Sequence, residues 1–223
     1  MRPILEGLFD DGVATTEVDV FATDLAELFP EEAELVRGAV HDRVAEFRAG
    51  RHCARVALGA LGVSPAPLLR GADRAPEWPA GFVGSITHKR APGAAFCGAA
   101  AASIENVRGV GLDAEFDAPL DPKVFARVLT ASEASSVESL APERRGITAK
   151  IVFSIKEAVY KCQYPHSRQF LEFRDVEVEL DEAGGRFTST LRRDAGPFAR
   201  GFGFGGRFAR RGGVIVSGAV LAR

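Results

Sequence analysis

Apolar positions along this chain recur with two periods. Between Thr148 and Cys162 the period is helical: Ile151, Ile155, Ala158, Val159 and Cys162 share one face, and Lys150, Ser154, Glu157 and Lys161 share the opposite one. Pro165 marks the expected end of that helix. Residues 31–61 also read as helical, in two pieces. Acids at 31 and 32 follow Pro30, Val40, Val44 and Phe47 continue an apolar stripe, Ala49-Gly50 interrupts it, and Cys53, Val56, Ala57, Ala60 and Leu61 resume it. Residues 122–129 and 131–140 read as short helices, the second capped by Ser132 or Thr130 with Glu133 in its first turn.

Elsewhere the pattern is strand-like. Phe82–His88, Ala94–Ala102 and Val107–Phe116 are strand candidates, the last two as a hairpin or as neighbours. In the C-terminal third, Phe173, Val176, Val178 and Leu180 break strict alternation once, which suggests a bulge. Gly185–Leu191 follows as a hairpin partner, and Gly203–Arg210 with Gly213–Leu221 forms another hairpin turning at Arg211-Gly212. Residues 62–81 are loop-rich, with prolines at 65, 67, 76 and 79. The turn around residues 103–109 is a natural seam. Helices and strands in this order indicate an α+β or α/β chain.

Composition narrows the function. A chain of 223 residues can bury a sizeable core as one domain or two small ones. No apolar run approaches a membrane span, and no secretory leader is read at the N-terminus. The three cysteines, 53, 97 and 162, match neither a disulfide framework nor a zinc spacing, and read as buried thiols of a cytoplasmic protein. A formal net charge of −2 argues against a nucleic-acid partner. Lysines stand only at 89, 123, 150, 156 and 161, so three of the five fall in the one helical window.

The candidate chemistry lies in two segments. In a strand, Asp113 and Glu115 emerge on one side and Leu112 and Ala114 on the other. Two clustered carboxylates repel unless a cation sits between them, and magnesium takes such hard oxygen ligands. Glu157 and Lys161 are spaced i,i+4, acid first. In isolation, the first pair reads better as two solvated acids at a strand end and the second better as a surface helix pair. His88 alone reads as a hydrogen-bonded strand-end histidine.

Taken together, three motifs carry a resemblance. Pro76-Glu77-Trp78-Pro79 running to Gly84-Ser85-Ile86-Thr87-His88, then Val110-Gly111-Leu112-Asp113-Ala114-Glu115, then Phe153-Ser154-Ile155-Lys156-Glu157-Ala158-Val159-Tyr160-Lys161, resemble in order the motifs of the larger, monomeric phosphopantetheinyl transferases. Those enzymes activate carrier proteins for siderophore, peptide and polyketide synthesis. The run from Arg43 to Arg55 is similar to the family's arginine-bearing helix, and Phe153 stands where many relatives have tryptophan. The likeness spans roughly residues 30–165.

The resemblance implies an α+β fold with two similar α/β halves, 1–105 and 106–223, related by a pseudo-twofold axis with the active site between them. Asp113, Glu115 and Glu157 would hold magnesium against the pyrophosphate of coenzyme A. Lys161 and Lys156 would neutralise pyrophosphate charge, and His88 with Ser85 or Thr87 would contact coenzyme A phosphate. Arg43 and Arg51 would bind the ribose phosphate, and Arg70 or Arg74 would stand where relatives carry a basic residue before the Trp-Pro motif. Glu157 is the candidate base. The acceptor would be a serine of an apo acyl- or peptidyl-carrier protein, docking near Asp113; the segment Phe116–Leu129, where Phe125, Val128 and Leu129 lie beside Lys123 and Arg127, reads equally as its docking patch or as an amphipathic helix facing this protein's own core. The same acids would also suit a magnesium-dependent phosphohydrolase. A non-catalytic nucleotide- or carrier-binding module is the third alternative.

Overall fold

The computed structural model describes residues 2–223. Its elements form two antiparallel sheets with helices packed against them, a mixed α+β arrangement. The smaller sheet has β1 (Val13–Val18), β3 (Ala94–Ser103) and β2 (Phe82–Ala91) in the order β1-β3-β2. The larger has β4 (Gly109–Phe116), β8 (Val214–Leu221), β7 (Gly203–Arg211), β6 (Arg186–Leu191) and β5 (Val176–Asp181), in the order β4-β8-β7-β6-β5. The hairpin therefore joins β2 to β3, while β4 lies in the other sheet, paired with β8 from Gly109↔Leu221 to Phe116↔Val214.

The helices depart from the sequence reading in instructive ways. The break in the first helical region falls after α1 (Pro30–Glu34), and α2 runs unbroken from His41 to Ala60. Gly50 does not interrupt α2. It lets the helix approach β2, where a Cβ would lie 3.0 Å from the Ile86 side chain. Helix α3 (Phe125–Val128) follows a 3-10 turn, Pro122–Val124. Helix α4 (Ala131–Glu138) carries a full capping box, with Thr130 accepting from the Glu133 amide and Glu133 accepting from the Thr130 amide. Helix α5 runs from Pro142 to Ser167 and passes through Pro165, ending at Arg168 in the left-handed region. Pro142 stands in the first turn, where its missing amide costs nothing, and Pro165 lies in the last turn. The interrupted alternation at Phe173 is a 3-10 turn (Phe173–Asp175) rather than a bulge, since β5 pairs with β6 in unbroken register.

Helix α5 is buried on nearly every side. Ile155, Ala158, Val159 and Cys162 pack into a core with Val176, Phe187, Phe204 and Ile215 of the larger sheet. A second cluster crosses the seam between the sheets: Phe96, Ala100 and Ala102 of β3 meet Val110, Leu112 and Ala114 of β4, with Leu5 and Leu8 of the N-terminal segment among them. All three cysteines are free and buried. Among the described residues, no helix is long and apolar enough to cross a membrane.

Candidate active site

The edge of β2 faces the edge of β4, and two hydroxyls close the gap. Ser85 Oγ accepts from the Leu112 amide at 2.9 Å, and Thr87 Oγ1 accepts from the Ala114 amide at 3.1 Å. These amides lie on the β4 edge away from β8, where burial without a partner would be costly. Ser85 and Thr87, expected to help contact a phosphate, are thus 5% and 3% exposed, with their hydroxyls engaged by the seam.

Period two along β4 then places Asp113 and Glu115 together, both nearly buried at 6% and 5% exposure. Helix α5 crosses this strand at Gly111, where a Cβ would sit 1.8 Å from the Ala158 carbonyl oxygen. That close approach brings Glu157 and Lys161 to the two acids. Lys161 Nζ donates to Asp113 Oδ1 at 2.8 Å and to the Leu112 carbonyl at 3.0 Å. Glu115 is held by two lysines absent from the expected set, Lys89 at 2.5 Å and Lys150 at 3.1 Å.

Glu157 completes the group without an ion pair among the described residues. Burial above all, then the negative charge of Asp113, holds its carboxyl above the ordinary range; Glu115 pushes the same way and Lys161 and Lys89 oppose. Asp113 Oδ2 is buried with no hydrogen-bond partner. Lysines balance the acids here, and among the described residues no three acids, histidines or cysteines are gathered at ligand distance of one metal. An orphaned carboxylate oxygen beside two further carboxylates nevertheless fits a hard divalent cation.

A basic cluster adjoins these acids. Arg43 Nη1 lies 3.4 Å from His88 Nε2, and Glu46 neighbours both, 3.4 Å from Arg43 Nη1 and 3.7 Å from His88 Nδ1. Burial, with Arg43, Lys161 and Lys89, holds His88 below its ordinary range against the pull of Glu46. Arg51 is buried, donates from Nε to the Leu68 carbonyl at 2.6 Å and lies 4.1 Å from the Phe47 ring centroid. Its pKa falls to about 10, chiefly through burial, so it stays charged at neutral pH; Arg70, Arg55 and Arg43 add to the shift and Glu32 opposes it. Arg70 donates to the Leu35 carbonyl at 3.5 Å, and Arg74 lines the neighbouring cleft.

That cleft has a volume of about 850 Å³ and runs between the two sheets. Gly71–Trp78 and Phe82–Ile86 form one wall; Val110, Tyr160, Lys161 and Tyr164 form the other. Asp73 on the loop pairs with Arg168 after α5, bridging the two walls.

Two expectations need correction. Lys156 does not join Lys161 beside Asp113. It lies 2% exposed on another side of α5, with Nζ 2.6 Å from Glu133 Oε2 and 2.8 Å from the Val128 carbonyl. Consecutive helical residues point about 100° apart, so Lys156 cannot share the direction of Glu157. In the proposed docking segment, Val128 and Leu129 are core residues and Phe125 is half-buried against the same core, while Lys123, Val124 and Arg127 are among its exposed residues. The sequence reading missed Lys89, Lys150, Glu46 and Glu133. For Lys89 the signal was present: Ser85, Thr87 and Lys89 alternate along one side of β2.

Comparison with known proteins bears on this geometry. Residues 31–102 match the sequence profile of the 4'-phosphopantetheinyl transferase N-terminal domain, and residues 109–207 that of the 4'-phosphopantetheinyl transferase superfamily. The 4'-phosphopantetheinyl transferase Svp of Streptomyces mobaraensis is 41% identical over 199 residues, covering 87% of this chain and 79% of that protein. The 4'-phosphopantetheinyl transferase PptT of Mycobacterium tuberculosis is 39% identical over 169 residues, covering 74% and 72%. Enterobactin synthase component D of Salmonella typhimurium is 32% identical over 130 residues, covering 57% and 51%.

Proposed function

This chain belongs to the 4'-phosphopantetheinyl transferase superfamily and is an enzyme that transfers phosphopantetheine to carrier proteins; from that premise we propose how its residues divide the work. The substrate is coenzyme A, and the acceptor is a serine of an apo acyl- or peptidyl-carrier protein. The serine Oγ attacks the β-phosphorus, the bond from that phosphorus to the bridging oxygen breaks, and adenosine 3',5'-bisphosphate leaves. The reading rests chiefly on one observation: Lys161 bonds Asp113 at the seam between the sheets, with Glu115 on the same strand and Glu157 within electrostatic range of both acids, beside a cleft of about 850 Å³.

Asp113, Glu115 and Glu157 would hold magnesium, whose chemistry is to neutralise the pyrophosphate oxygens. Lys161 would add its own charge there. Arg43, Arg51, Arg70 and His88 would fix the ribose phosphate, since guanidinium forks suit a dianion and the cluster lies within reach of the acids. Arg74 would contact the nucleotide from the cleft wall. The attacking hydroxyl must lose its proton, and we assign that acceptor role to Glu157, the one acid of the three without a lysine partner. Most of the rate then comes from positioning and charge neutralisation.

We read residues 1–105 as the half that supplies the nucleotide-binding groups and residues 106–223 as the half that supplies the acids, the two being related by a pseudo-twofold axis. Exposed Lys123, Val124 and Arg127 form, with half-buried Phe125, the proposed edge for the carrier protein. The enzyme would act as a cytoplasmic monomer on carrier proteins of siderophore, peptide or polyketide synthesis. The test is mass spectrometry of an apo carrier protein incubated with this protein, coenzyme A and magnesium. A phosphopantetheine mass shift is expected. Release of adenosine bisphosphate from coenzyme A without a carrier would instead favour the phosphohydrolase.

A further inference from the structure

We infer that the buried Lys156–Glu133 pair is a positioning device that sets the rotation of α5 and so aims Glu157 at the β4 acids, an inference that rests on the reading of Glu157 as a metal-holding and proton-accepting group. Lys156 immediately precedes Glu157, and the side chains of Lys156 and Glu133 are 1% and 3% exposed. Lys156 Nζ donates to Glu133 Oε2 at 2.6 Å and to the Val128 carbonyl at 2.8 Å. Glu133 Oε2 also accepts from the Thr130 amide at 2.7 Å, and Oε1 accepts from the Val178 amide at 2.7 Å. The Glu133 carboxylate thus ties α5 to the N-terminus of α4 and to β5, and the Lys156 ammonium ties α5 to the end of α3.

On its β4 side α5 also makes directional bonds, from Lys161 to Asp113 and from Lys150 to Glu115, but these are groups of the site itself; the Lys156–Glu133 pair anchors the helix from outside that site. Ile155, Ala158, Val159 and Cys162 bury apolar surface, which is non-directional. The close approach at Gly111 limits the distance between helix and strand rather than the angle. Hydrogen bonds from a fully buried ammonium are directional, and buried pairs are best attested as devices of register rather than of stability. A helix with side chains has a radius of about 5–6 Å, so a turn of roughly 10° about its axis moves a carboxylate at its surface by about 1 Å. A displacement of that size at a reacting centre can cost on the order of 100-fold in rate.

The test uses the full chain and four variants: Lys156→Met, Glu133→Gln, the pair Lys156→Met/Glu133→Gln, and Glu157→Gln. Manganese affinity of each is measured by calorimetry with the metal alone, stability by urea titration, and kcat and KM by transfer to an apo carrier protein. Lys156→Met is expected to lose stability, because Glu133 is left buried and unpaired. The neutral pair should regain most of the urea midpoint, yet keep a kcat about 10- to 100-fold below normal with KM for coenzyme A within about twofold, and a manganese affinity at least several-fold weaker. Recovery of kcat and manganese affinity together with the midpoint would overturn the inference, leaving the pair a purely structural one. Should the Lys156 variants fail to fold, Glu133→Gln decides: reduced kcat at unchanged KM supports the inference, and wild-type kcat overturns it. Unchanged manganese affinity in Glu157→Gln would instead sink the ligand reading of Glu157, whatever the Lys156 variants do.

Discussion

Asp113 gives one carboxylate oxygen to Lys161 Nζ at 2.8 Å and keeps the other, Oδ2, buried without a hydrogen-bond partner. A buried orphan of this kind is uncommon in folded proteins and calls for a ligand. Asp113→Asn keeps the shape and removes the charge. Transfer should fall by a factor on the order of 100 or more, as when one electrostatic contact to a reacting phosphoryl group is lost. The metal-free variant should give a native-like circular dichroism spectrum and lack the rise in melting temperature that magnesium is expected to give the parent protein. A variant that keeps that rise would remove Asp113 from the cation site.

Glu157 is held above its ordinary range by burial and by Asp113 and Glu115, which means that its ionised form costs the fold some stability at neutral pH. Glu157→Gln removes that cost. The metal-free variant should therefore melt slightly above wild type while transferring phosphopantetheine at least about 100-fold more slowly. A stability gain joined to an activity loss marks a site under electrostatic strain. If the residue belonged to an ordinary surface pair with Lys161, both quantities would stay near wild type.

Gly111 sets how close α5 comes to β4. An added Cβ would lie 1.8 Å from the Ala158 carbonyl oxygen and 2.8 Å from the Cys162 amide nitrogen, both backbone atoms that cannot swing aside. Gly111→Ala should cost about 1–3 kcal/mol or more, as overpacking does. It should also move Glu157 and Lys161 away from the β4 acids, so activity falls beyond what lost stability explains. Gly203→Ala is the control, since its Cβ would meet only the Ser189 carbonyl at an ordinary 3.7 Å. Urea titration and transfer rates on the two variants separate the effects.

The N-terminal segment ties the two sheets together. Glu17 accepts from the amides of Ile4 and Leu5, both at 2.7 Å, which directs Leu5 and Leu8 into the cluster shared by β3, β4 and β8. Arg207 donates to the Gly7 carbonyl from the far end of the chain, and Arg211 donates to that of Glu6. Leu8→Ala should cost about 2–5 kcal/mol, as for other buried leucines. Because the cluster crosses the seam, the variant should unfold in one transition with a lowered urea midpoint. An unchanged midpoint would make this segment a loose appendage.

How far the sequence disclosed this site depended on which periodicities were strong. Helix α5 was legible because its apolar residues repeat over four turns, and that period already put Lys150, Ser154, Glu157 and Lys161 on one side. The same period separated Lys156 from them; grouping it with Lys161 followed the motif and overlooked the geometry. Asp113 and Glu115 were legible from alternation in β4. Strand β1 was not, because Val13-Ala14-Thr15-Thr16-Glu17-Val18 is half-buried throughout and shows no two-residue contrast. The seam itself was hidden. Nothing local in Ser85 or Thr87 says that their hydroxyls will meet the amides of a strand 27 residues away.

His88 offers a test of the proposed nucleotide end of the site by protons alone. Burial first, then Arg43, Lys161 and Lys89, keep it below the ordinary histidine value of 6.5, with Glu46 opposing. A histidine with a lowered folded pKa binds its proton more readily when unfolded. The fold therefore has its full stability above about pH 6.5 and loses part of it as pH falls through that value toward the lower folded one. His52 shifts in the same direction, so His88→Gln should soften this acid loss without abolishing it. Binding reverses the balance at His88. A coenzyme A phosphate placed beside Arg43 and His88 adds negative charge and raises the histidine's pKa, so the complex should take up protons near pH 6. Calorimetry in two buffers of different ionisation enthalpy measures that uptake directly. His88→Gln should bind coenzyme A more weakly and with the uptake lost; an undiminished uptake in that variant would place the phosphate elsewhere.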